Sequence, residues 1–392
     1  MIIKNVKVYT PEKDFQNGII EIRDGVFVKV EKTADEDYES CNTLEEEVID
    51  GGGCYAVPGL IDIHFHGCMG HDFCDGTKEA ISEIAKYEAS VGVTAIAPAT
   101  MTLPIAELEN ILEIAADYRK DMESKPSAQK ADLVGINMEG PFISPVKKGA
   151  QNASYIVHCN TEIALRFLDV SDGLVKIIGL APEESVEATE YVKQMQGKVH
   201  VSLAHTNADY EIAKAALEAG ADHAVHLYNA MPSFNHREPG VVGAVANCPH
   251  ATAELICDGV HIHPAVVRAT FQMMGEDRMI LISDSMRATG MPDGRYSLGG
   301  LDVDVQGNRA TLVSDGALAG SATNLMDCMR TAVKKMGISL ETAVACATVN
   351  PAKKLGVYEK YGSIEPGKKA NVVLLGEELE LIAVVKDGVR IK

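Results

Sequence analysis

Six side chains of the kinds that bind metal ions each follow a short apolar run of the sequence. They are His64, His66, Glu139, His205, His226 and Asp284. Imidazole nitrogens and carboxylate oxygens together suit zinc, iron, manganese or cobalt, and the residue types do not select among these ions. A bound divalent ion can lower the pKa of water toward ~7 and polarise a carbonyl group, which is the equipment for hydrolysis. The six residues therefore predict a metal-dependent hydrolase, if the fold brings them together.

The apolar runs themselves indicate how the six residues could converge. The runs are Gly59–Ile63, Val93–Pro98, Leu133–Met138, Val175–Leu180, Val199–Leu203, His223–Leu227, Ala253–Cys257 and Met279–Ser283. Apolar residues recur with helical spacing in most of the gaps, as at Ile81, Ile84 and Ala85, or at Ile212, Ala215, Ala216 and Ala219. Alternating strands and helices predict a parallel sheet, and eight such units in about 300 residues suit a closed (β/α)8 TIM-like barrel. The active sites of such barrels lie at the C-terminal ends of the strands, where the six residues stand.

The two ends of the chain do not follow this alternation. Residues 1–54 and 351–392 contain short alternating segments separated by turn residues. We expect them to form one small β-sandwich domain that flanks a catalytic barrel of residues 55–350. Residues 286–318, which follow the last barrel strand, carry Gly and Asp turns around alternating segments and predict a hairpin insertion over the barrel mouth.

Each of the six residues has an ordinary explanation when it is taken alone. An isolated His-x-His pair is more often two unrelated histidines than a metal site, and a single histidine at a strand end is more often part of the core. Glu139 alone could be a surface residue before a turn, and Asp284 could cap the next segment. One shared site explains all of them at once. Within it, Asp284 would act as a general base and then as a general acid.

Composition restricts the possible partners and the compartment. The formal net charge of −20 disfavours nucleic acid and anionic membranes as partners, and no apolar run approaches the ~20 residues of a membrane span. The nine cysteines include no C-x-x-C pair, which is typical of a reducing compartment. The first ten residues, MIIKNVKVYT, alternate like a strand and lack the features of a secretory signal. We therefore expect a cytoplasmic protein.

Several longer motifs carry a family resemblance. The segments V-P-G-L-I-D-I-H-F-H-G, M-E-G-P-F, H-L-Y-N-A-M, R-E-P-G, D-G-V-H and L-A-G-S-A resemble those of the amidohydrolase superfamily and, within it, the N-acetylglucosamine-6-phosphate deacetylases. The resemblance extends to the segments N-P-A and P-G-K-K-A-N near the C-terminus. It implies hydrolysis of the N-acetyl group of N-acetylglucosamine 6-phosphate, which gives glucosamine 6-phosphate and acetate.

The resemblance also implies roles for individual residues. Glu139, His205 and His226 would hold the principal ion, with Asp284 as the catalytic acid and base. His64 and His66 match the branch of the family that can carry a second ion, so one or two ions per subunit are both open. The implied substrate contacts are Ala150, Gln151, Asn229, Ala230, Arg237, His261, Leu318, Ala319 and Gly320, of which Arg237 and His261 match phosphate-binding positions.

One implied substrate contact departs from the family pattern. Gln151 stands where many relatives have a histidine that contacts the substrate near the acetamide group. A glutamine can donate a hydrogen bond there, but it cannot carry a proton. The way in which this chain would polarise the carbonyl group is therefore less defined than the role of the metal.

Quaternary structure and two other functions complete the expectations. Members of the resembled family are commonly homodimers in which a neighbour supplies part of the phosphate site. A related amidohydrolase acting on another amide is one alternative, although many cyclic-amide hydrolases use a lysine after the fourth strand, where this chain has Ala181-Pro182-Glu183. A catalytically silent scaffold is the other alternative, and such a protein should have lost metal ligands.

Overall fold

The computed structural model describes residues 1–33 and 47–392. Residues 34–46, which belong to the predicted terminal domain, lie outside the described residues. The described chain contains a barrel of parallel strands, a sheet made from both ends of the chain, and a small sheet between the last barrel strand and the helices that follow it. No helix of these residues has the length and hydropathy that crossing a membrane would require.

The barrel strands are all parallel to their neighbours. Numbered 1 to 8 in chain order, they are Leu60–Asp62, Val93–Ile96 with its continuation Ala99–Thr100, Asp132–Leu133 with Ile136–Met138, Val175–Leu180, His200–Leu203, His223–Ala224, Thr252–Ile256 and Met279–Ile282. Strands 8 and 1 meet just past their ends, where the Asp284 N–H donates to the His64 carbonyl oxygen at 3.0 Å and the His66 N–H donates to the Ser285 carbonyl oxygen at 2.7 Å. These contacts close the ring, and the predicted barrel is confirmed.

The helices pack around the barrel. They are Lys78–Ser90, Ile105–Ser124, Thr161–Val170, Ala188–Met195, Tyr210–Ala219, Gly240–Ala246, Pro264–Met274, Leu325–Lys334, Leu340–Ala347 and Val349–Lys354. The helix that follows strand 1 begins after the N-cap Thr77 and buries Ile81, Ile84 and Ala85, as predicted. Burying a large apolar side chain of this kind stabilises the fold by about 1.5–3 kcal/mol.

The predicted apolar face of helix Tyr210–Ala219 is wrong at two of its four positions. Ile212 is 38% exposed and Ala215 is exposed as well, and the buried face is formed by Ala213, Ala216, Leu217 and Ala219. The segment is rich in alanine, so apolar residues occur on several sides of the helix. Periodicity alone therefore does not fix which side faces the barrel.

The two ends of the chain form one continuous sheet. Its strands are, in spatial order, Val389–Arg390, Leu381–Lys386, Val372–Leu375, Val48–Pro58, Ile2–Tyr9, Phe15–Arg23 and Val26–Lys32. The sheet curls until its far side returns to the C-terminal segment, where the Phe27 N–H donates to the Lys368 carbonyl oxygen at 3.0 Å. Ile3, Ile20 and Phe27 pack with Val372 in the core that the curled sheet encloses. The strand Val48–Pro58 passes the predicted boundary at residue 54, and the division into domains stays a prediction.

The segment after strand 8 contains one strand more than the predicted hairpin. Gly294–Leu298, Leu301–Gln306 and Arg309–Leu312 form a three-stranded antiparallel sheet. Its apolar side chains Leu298 and Val303 belong to the same buried cluster as Met101 and Ala150 from barrel loops. The insertion therefore packs beside the mouth of the barrel, where the six polar residues lie.

Candidate metal centre and active site

The six predicted residues converge at the C-terminal end of the barrel. His64 and His66 follow strand 1, Glu139 follows strand 3, and the remaining three follow strands 5, 6 and 8. Two sets of side chains each place one ligand atom within 4.8 Å of the others, and both sets are buried. They are His64, His66 and Glu139, and Glu139, His205 and His226.

Glu139 is the residue shared by the two sets. Its Oε1 atom lies 2.7 Å from His226 Nε2, 3.0 Å from His205 Nε2 and 3.2 Å from His64 Nε2. Its Oε2 atom lies 3.5 Å from His66 Nε2 and accepts a hydrogen bond from the Gln151 side chain. One carboxylate thus faces four imidazole rings.

The orientation of the rings fits a bound cation. His205 Nδ1 donates to the Lys147 carbonyl oxygen at 2.9 Å, so the neutral ring presents a lone pair at Nε2. That atom lies 3.2 Å from His226 Nε2, and both face the Glu139 carboxylate. His64 Nε2 is buried and has no hydrogen-bond partner among the residues that the structure describes. Imidazole nitrogens and carboxylate oxygens gathered this closely fit the ligands of a divalent ion.

The backbone turns sharply at three of these residues. His205, His226 and Asp284 have φ values of 42°, 25° and 51°, in the left-handed region that side chains other than glycine seldom adopt. Each such conformation costs about 1–3 kcal/mol and persists where surrounding structure enforces it. Here it turns three side chains inward immediately after their strands end. Three of the six predicted site residues therefore stand on strained backbone.

Asp284 lies beside the histidines of strand 1. Its Oδ1 atom is 3.4 Å from His66 Nε2 and 4.0 Å from His64 Nε2. Its backbone carbonyl oxygen accepts from the Ser321 N–H at 2.7 Å, which ties it to the segment that follows the insertion. The carboxylate is thus held at the edge of the metal centre and borders the cavity.

The charges of the site favour a cation. Burial alone would raise the pKa of Glu139, but the neighbouring His205, His226 and His64 hold it well below its ordinary value. Burial would likewise raise the pKa of Asp284, but the neighbouring His66 and His64 lower it. Burial would lower the pKa of His64, yet Glu254 and Glu139 raise it well above its ordinary value. Two buried anionic carboxylates therefore attract positive charge to one point.

A cavity of about 310 Å³ opens onto this centre. That volume is at the lower end of the range for small-molecule sites. The predicted residues that line it are His66, Glu139, Ala150, Gln151, His205, His226, Asn229, Ala230, His261, Asp284, Leu318 and Gly320. His64 lies behind them and is fully buried.

Two predicted substrate contacts do not line this cavity. Ala319 is 1% exposed and belongs to the apolar cluster of the insertion. Arg237 lies on an exposed loop, where its backbone N–H donates to Asn235 Oδ1 at 3.2 Å. Among the described residues, the lining of the cavity contains no lysine and no arginine.

The polar residues of the cavity wall already have partners. Gln151 accepts from the Thr102 N–H at 2.6 Å through Oε1, which turns its amide nitrogen toward Glu139. Asn229 donates to the His226 carbonyl oxygen at 3.3 Å, and His261 Nδ1 lies 2.7 Å from Asp258 Oδ2. The Asp258 carboxylate raises the pKa of His261, although burial acts in the opposite direction. His261 thus brings to the wall an imidazole ring whose Nδ1 faces a carboxylate.

Several residues of the site were not predicted from the sequence. Met101, Gly149, Leu298 and Ala317 line the cavity, and their types carry no chemical signal. Glu254 is fully buried beneath the metal centre and lies 2.7 Å from His64 Nδ1. A signal for Glu254 did exist, because a glutamate inside the apolar run Ala253–Cys257 must find buried partners.

Comparison with known proteins identifies relatives of this chain. The N-acetylglucosamine-6-phosphate deacetylase of Bacillus subtilis is 34% identical over 389 residues, which are 99% of this chain and 96% of that protein. The enzyme of the same name from Vibrio furnissii is 37% identical over 327 residues, 83% of this chain and 80% of its own length. An N-acetylgalactosamine-6-phosphate deacetylase of Escherichia coli O157:H7 is 32% identical over 382 residues, 97% of this chain and 96% of its own.

Solved structures and a family model agree with these relatives. A mutant N-acetyl-D-glucosamine-6-phosphate deacetylase from Mycobacterium smegmatis, in complex with N-acetyl-D-glucosamine-6-phosphate, superimposes with a TM-score of 0.89 at 30% identity. The match covers 100% of this chain and 98% of that one. The model of the amidohydrolase family matches residues 55–391. From its sequence and its fold, this chain belongs to the amidohydrolase family.

Proposed function

We propose that this protein hydrolyses the acetamide group of N-acetylglucosamine 6-phosphate and releases acetate. The observation that carries the proposal is the meeting of Asp284 with the Glu139 and histidine cluster in one cavity, in a chain 34% identical to a deacetylase of that substrate. The full set of predicted ligands disfavours a catalytically silent scaffold. Ala181-Pro182-Glu183, in place of a lysine after strand 4, disfavours many cyclic-amide hydrolases.

The metal would be held by Glu139, His205 and His226, and a second ion would be held by His64 and His66 with Glu139. A divalent ion at this position supplies an activated water and polarises the amide carbonyl group. Zinc, iron, manganese and cobalt all suit these donors. Which of them serves, and whether one or two ions bind, belong to the proposal.

Asp284 is the proton carrier in this scheme. As an anion it accepts a proton from the attacking water, and it then donates that proton to the departing amine. His66, 3.4 Å from Asp284 Oδ1, and the turn that ends at Ser321 keep the carboxylate at the cavity edge. Because the leaving amine is a poor leaving group until it is protonated, turnover depends on this transfer.

The sugar phosphate would occupy the cavity with its acetamide group at the metal centre. His261 and Asn229 also line the cavity and can contact the sugar or the phosphate. Arg237 is exposed and does not line the cavity of its own chain, so we assign it to the cavity of a second copy. We accordingly propose a homodimer, located in the cytoplasm, in which each subunit completes the phosphate site of the other.

The substrate assignment is tested by measuring acetate release from four sugars with the zinc-loaded protein. These are N-acetylglucosamine 6-phosphate, its galactose epimer, and the two unphosphorylated sugars. The proposal expects the fastest release from the first sugar and slow release from both unphosphorylated ones. Faster release from the galactose epimer would move the assignment to the activity named for the Escherichia coli relative, and no release from any of them would contradict the proposal.

The shared phosphate site is tested by mixing two inactive proteins. Arg237→Ala leaves Asp284 intact, and Asp284→Asn leaves Arg237 intact. If Arg237 serves the neighbour, subunits mixed under exchanging conditions form heterodimers with one complete site, and activity at low substrate returns to a fraction of the wild-type value. No recovery, in a mixture shown to contain heterodimers, would place Arg237 elsewhere.

A further inference from the structure

Glu254 is a buried carboxylate that the hydrolytic scheme does not use. It lies on barrel strand 7 and is completely shielded from solvent. Its Oε2 atom lies 2.7 Å from His64 Nδ1 and accepts from the His226 N–H at 3.0 Å. Its Oε1 atom lies 2.9 Å from His223 Nε2 and accepts from Asn137 Nδ2 at 3.3 Å.

These contacts determine where His64 carries its proton. An ionised carboxylate only accepts hydrogen bonds, so His64 must present Nδ1–H to Glu254. When Nε2 binds a metal in place of a proton, Nδ1 carries the one proton of the ring, and the Nε2 lone pair is on the side that faces Glu139 at 3.2 Å. A carboxylate behind a histidine whose other nitrogen binds a metal fixes both the tautomer and the orientation of the ring.

The other histidines of the centre are not held in this way. His205 Nδ1 has a carbonyl oxygen as its acceptor. The Nδ1 atoms of His66 and His226 are buried and lack hydrogen-bond partners in the described part of the chain. His64 therefore differs from the other three in that its Nδ1, the nitrogen turned away from Glu139, meets a charged group.

We infer that Glu254 is a positioning residue for the metal subsite of His64, His66 and Glu139, and that it acts by fixing the proton of His64 on Nδ1. Through the His226 N–H the same carboxylate also holds the strained turn that carries a ligand of the other subsite. The inference deepens the proposed function and relies on it for the presence of a metal. It is tested by metal binding in the absence of any substrate, so deacetylase activity and this role can fail separately.

The main experiment titrates chelator-stripped protein with zinc in competition with a chelator of known affinity. Glu254→Met removes the acceptor at nearly constant volume, and we expect one ion per subunit to bind about 10–100-fold more weakly. In Glu254→Gln, the amide oxygen can take the place of Glu254 Oε2, because the backbone N–H of His226 can only donate to it. The same oxygen then also accepts from His64 Nδ1, so the zinc affinity of this variant should stay within about threefold of wild type. The matched control is Glu88→Met, since Glu88 is also a fully buried glutamate, but its carboxylate has no hydrogen-bond partner among the described residues and so positions no metal ligand in this way.

A double-mutant cycle separates positioning from a general effect on the barrel. If Glu254 acts through His64, adding Glu254→Met to a His64→Asn protein should weaken zinc binding by less than about threefold. Equal weakening with and without His64, or unchanged affinity in Glu254→Met, would overturn the inference.

A second measurement covers the case in which Glu254→Met does not fold. Nitrogen chemical shifts of labelled histidine in the zinc-loaded wild-type protein report which ring nitrogen carries the proton, and His64→Asn identifies the signal. A proton on His64 Nδ1 is the expected result. A His64 ring protonated at Nε2 would overturn the inference without any Glu254 variant.

Discussion

His66 Nε2 lies 3.4 Å from Asp284 Oδ1, at the point where barrel strands 1 and 8 meet. The contact joins a predicted metal ligand to the predicted proton carrier across the seam that closes the barrel. Variants of these two neighbouring residues should nevertheless have different effects. A change at Asp284 should alter catalysis and leave the principal metal ligands in place, whereas a change at a histidine should alter metal binding first.

Asp284→Asn is expected to retain metal and lose turnover. Asparagine keeps the volume of the side chain but cannot accept and return a proton, and general acid–base catalysis contributes about 10²–10⁴-fold to rate. Metal content should remain at the wild-type level, because Glu139, His205 and His226 are unchanged. The check is acetate release together with elemental analysis of the same sample; wild-type turnover in a metal-replete variant would remove Asp284 from the mechanism.

Gly320→Ala is expected to damage activity through the backbone of Asp284. A Cβ atom at Gly320 would lie 3.0 Å from the Asp284 carbonyl oxygen, in a residue with φ of +61°. Gly316→Ala is the matched control, since its φ is +76° and its Cβ would meet nothing within 4 Å. Both variants should lose about 1 kcal/mol of stability from the left-handed backbone. Only Gly320→Ala should lose kcat, and equal activity in the two variants would contradict this reading.

Lys386→Met is expected to destabilise the contact between the terminal sheet and the barrel. Lys386 is fully buried, and its Nζ lies 2.9 Å from Asp132 Oδ1 and 2.6 Å from Asp387 Oδ2. Lys369 also contacts both carboxylates, so the loss of Lys386 leaves two carboxylates with one lysine. Because one carboxylate charge is then uncompensated, the loss of stability should be about 2–4 kcal/mol. Lys334→Met, which breaks an exposed pair with Glu378, should cost less than about 1 kcal/mol. Denaturant unfolding of both variants measures the two losses in free energy of unfolding. Similar losses would show that burial of Lys386 does not increase its contribution to stability.

The acid limb of the stability profile should contain a contribution from Asp222. Burial opposes ionisation, but the His200 hydrogen bond and Lys354 lower the pKa of Asp222 from 3.8 to about 2. Because this pKa is depressed in the folded state, the stabilisation is complete above pH ~4 and is lost as the pH falls from about 4 to about 2. Asp222→Asn should remove roughly 2 kcal/mol at pH 6 and almost nothing at pH 2. If Asp222→Asn lost the same free energy of unfolding at both pH values, the lowered pKa of Asp222 would not be the cause of its contribution to stability.

The sequence allowed the barrel and most of the site to be predicted for one physical reason. Parallel barrel strands present their C-terminal ends on one face, so polar residues that end successive apolar runs had to meet there. His64, Glu139, His205 and Asp284 were found in this way, without any knowledge of the loops. The eight apolar runs were also distinct enough to place all eight barrel strands.

What the sequence did not reveal depends on contacts between distant segments. The role of Glu254 requires strands 1 and 7 to be placed together around the barrel, and the cavity wall formed by Met101 and Leu298 requires the insertion to fold over the mouth. The exposed position of Arg237 likewise follows from a loop path that local pattern does not determine. The buried side of helix Tyr210–Ala219 was predicted wrongly because its alanines make several sides of the helix similarly apolar.

Whether the Glu139 and histidine cluster is a catalytic metal site is tested by a metal titration of activity. Protein stripped with a chelator is resupplied with increasing zinc, iron, manganese or cobalt, and acetate release from N-acetylglucosamine 6-phosphate is measured beside the bound metal. We expect negligible release from the stripped protein, a rise in proportion to the bound ion, and no rise in His205→Asn. Full activity in protein shown to be free of metal, or no activity with any of the four ions, would contradict it.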